Sequence, residues 1–139
     1  MKCFAKGLLF TLIVAGAGAA NAEPADDACT ALMSARVHLV GLVGPTDKIT
    51  FDNHIEKVHS ASAKLDAVLA AMIHGQNAND AAKAGEFQIV WEAFKSTREK
   101  EIIPAVYAGK IKDARTIAMG IQAERKRKMM TIMGCKQRI

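Results

Sequence analysis

EFQIVWEAFKSTREKEIIPAVYAGKIKDARTIAMGIQAERKRKMMTIM, residues Glu86–Met133, reads as two long helices folded back on each other at Gly109. Phe87, Val90, Trp91, Phe94, Ile102 and Ala105 recur at three- and four-residue steps, which places them on one helical face. Beyond the turn, Ile111, Ala114, Ala118, Ile121, Met129 and Ile132 repeat the pattern. Gly109 supplies the residue that takes a left-handed backbone without a Cβ penalty, a common helix stop. A connection this short makes the two helices antiparallel neighbours. Pro104 removes a backbone donor and is expected to bend the end of the first of them. The pair is amphipathic, so further helices must cover its apolar face.

Two more helices precede it. Glu23-Pro24-Ala25-Asp26-Asp27 is an acidic, helix-starting lead-in, and a helix is expected from about Asp26 to Val43. Its apolar set is Cys29, Leu32, Met33, Val37, Leu39, Val40 and Val43. Gly44-Pro45-Thr46-Asp47 breaks it. The next helix is expected from near Phe51 to His74, with Phe51, Ile55, Val58, Ser62, Leu65, Leu69 and Met72 inward. Gly75-Gln76-Asn77-Ala78-Asn79 reads as a polar turn, with Asn79 or Asp80 as the following N-cap. Four amphipathic helices joined by short loops predict an all-α, up-down-up-down antiparallel bundle. One length is awkward: about 14 residues of helix 1 lie above Cys29, against about 26 in an unbroken helix 4 below Gly109. Either the Gly44–Thr50 connection climbs or helix 1 runs on.

Residues 1–22 read as a leader. Lys2 and Lys6 precede the apolar run Gly7–Val14, and Ala20-Asn21-Ala22 matches an A-x-A cleavage site. Cleavage after Ala22 leaves one domain, residues 23–139, in the periplasm or secreted, with no membrane-spanning segment. Loss of Lys2 and Lys6 lowers the formal net charge from +5 to +3. Cys3 leaves too. The remaining pair, Cys29 and Cys135, reads as one disulfide in an oxidising compartment, at the end of the bundle where helices 1 and 4 both terminate.

The arrangement Trp91…Phe94…Arg98…Ile102-Ile103-Pro104-Ala105…Gly109…Ala114 resembles the periplasmic four-helix-bundle ligand-binding domain of bacterial chemoreceptors. The resemblance is clearest over Trp91–Gln122, and the receptors' second membrane segment and signalling region have no counterpart here. It implies a freestanding sensor module that takes a small anionic ligand through inward arginines.

The residues themselves offer two constellations. Arg36, Arg98 and Arg125 fall on or beside apolar stripes where leucine is expected, with Arg36 and Arg125 at similar heights above the disulfide end, ~10 and ~15 Å. Guanidinium groups bind carboxylate or phosphate in two-point fashion, and their other use is snorkelling or ion pairing. On this reading Arg125→Leu stabilises the fold and removes ligand protection. Met33, Met72, Met129 and Met133, with Met130 and His74, map to the disulfide end, where thioethers and imidazole suit Cu(I); their other use is core filling.

No G-x-S-x-G, H-E-x-x-H or paired carboxylates on an apolar face appear, and the four histidines are scattered. The C-terminal Gly134-Cys135-Lys136-Gln137-Arg138-Ile139 lacks the C-x-x-C-H of covalent haem, and helix 4 has no histidine for b-type haem. The expectation is a non-catalytic module without a cofactor, monomeric or homodimeric, serving a small anionic ligand or an envelope protein partner. Arg125, Lys126, Arg127, Lys128, Lys136 and Arg138 crowd the C-terminus, but without aromatic interleaving they point away from nucleic acid.

Overall fold

Pro24 at the first helical position, followed by Asp26 and Asp27 in the first turn, starts α1 (Pro24–Leu42) two residues earlier than expected. The computed structural model describes residues 23–44 and 47–136, and the expected leader lies outside them. Asp47 starts α2 (Lys48–Ile73), its carboxylate accepting from the Thr50 amide at 2.8 Å. That cap moves the start ahead of Phe51, because it satisfies an amide the first turn leaves without a partner. Asn77, not Asn79 or Asp80, caps α3 (Ala78–Thr97), accepting from the amides of Asn79 and Asp80. A π turn, Arg98–Ile102, continues α3 into α4 (Ile103–Tyr107). The last rod is α5 (Ile111–Met119) and α6 (Ile121–Met133). The four rods form an all-α, up-down-up-down bundle, and no strand occurs among the described residues.

Periodicity located most of the core. Leu32, Leu39, Val58, Leu65, Leu69, Phe87, Trp91, Phe94, Ile102 and Met129 are buried, each large apolar side chain contributing about 1.5–3 kcal/mol. Met33 and Val37, in the apolar set of helix 1, are instead 39% and 60% exposed. The inward face of α1 is carried by Ala28, Ala31, Leu32, Ala35, Leu39 and Leu42, and its alanines let α2 approach closely.

The expected bend at Pro104 is a π turn one turn earlier. The Ile103 amide reaches back to the Arg98 carbonyl, a widened register that makes room ahead of a ring which would crowd the carbonyl four residues before it. The Gly109 turn follows expectation. With φ at 75°, the Gly109 amide donates to Val106 and the Lys110 amide to Ala105, closing the helix end in a Schellman pattern. Gly134 repeats this, its amide bonding Thr131 and that of Cys135 bonding Met130. Cys29 and Cys135 are disulfide-bonded, with Cα atoms 5.6 Å apart across 106 residues.

Helix 4 is not continuous. It breaks at Gly120, where an added Cβ would lie 2.8 Å from the Thr116 carbonyl oxygen. Ile121, expected inward, is 44% exposed, whereas Gln122, four residues beyond Ala118, is fully buried. Helix 1 ends at Leu42, and α5 crosses its end, where Arg115 donates Nε and Nη2 to the Val43 carbonyl at 3.2 and 2.9 Å. A guanidinium there meets the negative end of the helix dipole.

Candidate functional site

Small side chains at helical spacing open a trough between α1 and α2. From α1 come Asp27, Thr30, Ala31, Ser34 and His38; from α2, Lys57, Ser60, Ala61, Lys64, Ala67 and Val68. Each set follows three- and four-residue steps, so each is one helical stripe. Alanine and serine facing alanine and serine leave the pair unfilled at its outer edge, giving a groove of about 600 Å³. That volume suits a small organic ligand.

Charge in the groove is uneven. Lys57 and Lys64 have no ion-pair partner among the described residues, nor does Asp27. Hydroxyls of Thr30, Ser34 and Ser60 lie between. Because the helices are antiparallel, His38 stands towards Lys57 at one end and Asp27 belongs to the other, near the disulfide. Burial pushes the His38 imidazole below the ordinary histidine range, and His54 and Lys57 push it the same way. The arrangement holds two ammonium groups and several donors against a partly apolar floor, with no nucleophile–base pair among these side chains.

A second, shallower groove of about 540 Å³ lies between α2 and α3. Among the described residues most of its charges are paired, Lys100 being the exception. Lys95 Nζ bonds both oxygens of Asp66 at 2.9 and 3.1 Å and meets Glu92 at 2.8 Å, and His59 meets Glu99 at 2.9 Å. Burial alone would lower the Lys95 ammonium, but its bonds to Glu92 and Asp66 hold it above the usual lysine range. Trp91 Nε1 also donates to Asp66, at 2.7 Å, so this carboxylate orders the aromatic core edge.

The three arginines are engaged by the protein, at separate places. Arg36 Nη1 donates to the Ala118 carbonyl at 2.6 Å, and Nη2 reaches the Met119 sulfur at 3.5 Å. Arg98 is 2% exposed; Nη1 donates to Ser62 Oγ and Nε to Glu99. Arg125 Nη1 donates to Thr97 Oγ1 and Gln122 Oε1, at 2.7 and 2.9 Å. Gln122 Nε2 in turn donates to the Phe94 carbonyl, one turn ahead of the π turn. Gln122 and Arg125 therefore stitch the break in rod four to the bulge in rod three. Among the methionines, Met72, Met129, Met130 and Met133 lie in the core, whereas Met33 and His74 face solvent.

Two features escaped the sequence reading. One is the lysine stripe, whose signal is the seven-residue spacing of Lys57 and Lys64 on a side of α2 otherwise made of serine and alanine. The other is a histidine pair: His38 Nδ1 and His54 Nδ1 are 3.2 Å apart. His38 stands four residues before the end of α1 at Leu42 and His54 six after the start of α2 at Lys48, so antiparallel pairing brings them to similar heights. No family model, curated protein or solved structure matches this chain.

Proposed function

We propose that this chain is an exported, non-catalytic binding module that holds a small organic anion in the α1–α2 groove. The observation that carries the reading is the pair of ammonium groups, Lys57 and Lys64, in a ligand-sized trough without carboxylate partners. Ammonium and hydroxyl donors favour carboxylate or phosphate, while Ala31, Ala61 and Val68 suit an apolar body behind the charge. The resemblance of Trp91–Gln122 to chemoreceptor sensor domains supports the same class of ligand. The Cys29–Cys135 bridge supports an oxidising compartment, and no described helix is long and apolar enough to cross a membrane. The groove suits the ligand better than the arginines do, because each arginine already donates to protein oxygens.

Thermal unfolding of the oxidised protein with benzoate, succinate or inorganic phosphate tests this. At least one anion is expected to raise the midpoint, and Lys57→Ala with Lys64→Ala is expected to abolish that rise. Both positions are solvent-facing, so the double variant should fold within about ±0.5 kcal/mol per site of the parent. Protection that survives the double variant, or no protection by any of the three, overturns the proposal. Protection lost in Arg36→Lys but kept in the lysine variant would return the site to the arginines.

A further inference from the structure

His54 is seated, not merely adjacent. Its imidazole lies against the backbone of α1 at Gly41, where an added Cβ would come within 2.5–2.8 Å of three ring atoms. Any residue but glycine at position 41 would displace the ring. One turn earlier on the same helix, His38 points its Nδ1 at His54 Nδ1, 3.2 Å away, with ring planes tilted by 43°. Both side chains are partly buried, and they come from two helices whose pairing is fixed by packed cores. At this distance one Nδ1 donates its proton to the other, so a rigid frame holds two ring nitrogens together over a single proton that a metal ion would displace.

We propose that His38 and His54 form a two-histidine site for a divalent transition-metal ion of the copper or zinc class, bound through both Nδ1 atoms. Metal–imidazole bonds are about 2.0–2.1 Å, so nitrogens 3.2 Å apart subtend roughly 100° at a shared ion, between square-planar and tetrahedral values. Imidazole is a borderline ligand that prefers Cu2+ and Zn2+ over Mg2+ or Ca2+. The neutral form is the one that binds, and burial favours it at His38. No group of three or more His, Cys, Asp or Glu side chains suited to a metal occurs among the described residues, so water completes the coordination. Lys57, the neighbouring cation, is exposed and long enough to swing away from a bound ion. This site is separate from the Met33–His74–Met129 end of the bundle and does not depend on an anion in the groove.

The test is titration of the oxidised, tag-free protein with ZnCl2 and CuCl2, followed by calorimetry. One ion per chain is expected. His38→Gln and His54→Gln should each weaken binding by at least about tenfold, since even a lost outer-shell partner costs that much. His59→Gln and His74→Gln should leave it unchanged. A readout independent of mutants is the imidazole nitrogen spectrum, in which Zn2+ should shift Nδ1 of both His38 and His54. No uptake at micromolar metal, uptake indifferent to both variants, or Zn2+ shifts confined to His59 and His74 would each overturn the proposal.

Discussion

The two halves of this bundle use the same architecture differently. The α1–α2 half is two uninterrupted helices that meet through alanines and leucines, and its cations, Lys57 and Lys64, stay uncommitted along an open groove. In the α3–α6 half both rods are interrupted, by the π turn at Arg98–Ile102 and the break at Gly120, and polar groups are spent inside. Gln122 bridges to Phe94, Arg125 to Thr97 and Gln122, and Arg98 to Ser62 across the boundary with α2. The two irregular helices are laced by internal polar bonds, and the two regular ones meet mainly through apolar side chains. Arg36, Arg98 and Arg125 each donate to protein oxygens, whereas Lys57 and Lys64 have no ion-pair partner among the described residues.

The largest test of that contrast is the tie between the halves. Replacing Cys29 and Cys135 by serine should lower stability by about 4 kcal/mol, with the loss arising mainly in the unfolded chain. Urea unfolding under oxidising conditions would measure it, and a loss below 1 kcal/mol would show that each half holds itself. Next comes Gln122→Leu, which removes the donor to the Phe94 carbonyl and the acceptor of Arg125 in a fully buried position, at an expected cost of about 1–3 kcal/mol. Arg125→Leu should cost about 1 kcal/mol, opposite in sign to the stabilisation expected from its place on an apolar stripe. Equal or greater stability in either variant would remove the stitching role.

The smallest effect belongs to the regular half and depends on pH. His38 sits below the ordinary histidine range in the folded chain, so the unfolded chain binds more protons as pH falls through that range. The neutral imidazole therefore favours folding above about pH 6.5, and this contribution is lost as pH drops towards the folded-state value. His38→Gln should flatten the fall in thermal midpoint between pH 7 and pH 5, and a profile parallel to the parent would refute it.

The sequence made the bundle legible because burial recurs with helical period: Phe87, Val90, Trp91 and Phe94 needed no partner to be recognised as inward. Gly109 was readable for the same local reason. Gly120 looked like any helical glycine, since Ala114, Ala118, Gln122 and Met129 keep ordinary helical spacing across the break. Arg98 stood out where leucine was expected; its charge is met by Glu99 next to it, but its burial also relies on Ser62, 36 residues away. The His38–His54 pair and the groove are likewise properties of two stripes meeting, and neither stripe alone carries the signal.

The left-handed turn at Gly134 brings Cys135 back towards α1, so the described chain is closed into a covalent loop at one end of the bundle. A force applied at residues 23 and 136 would run through the sulfur–sulfur bond and bypass nearly every helix. Peeling from the ends, the usual way helices fray, is barred for α6 and for α1 beyond Cys29. Opening must begin at the far end, around the α1–α2 connection and the Gly109 turn. The bridge thus acts as a mechanical shunt, leaving the bundle unloaded when its ends are pulled.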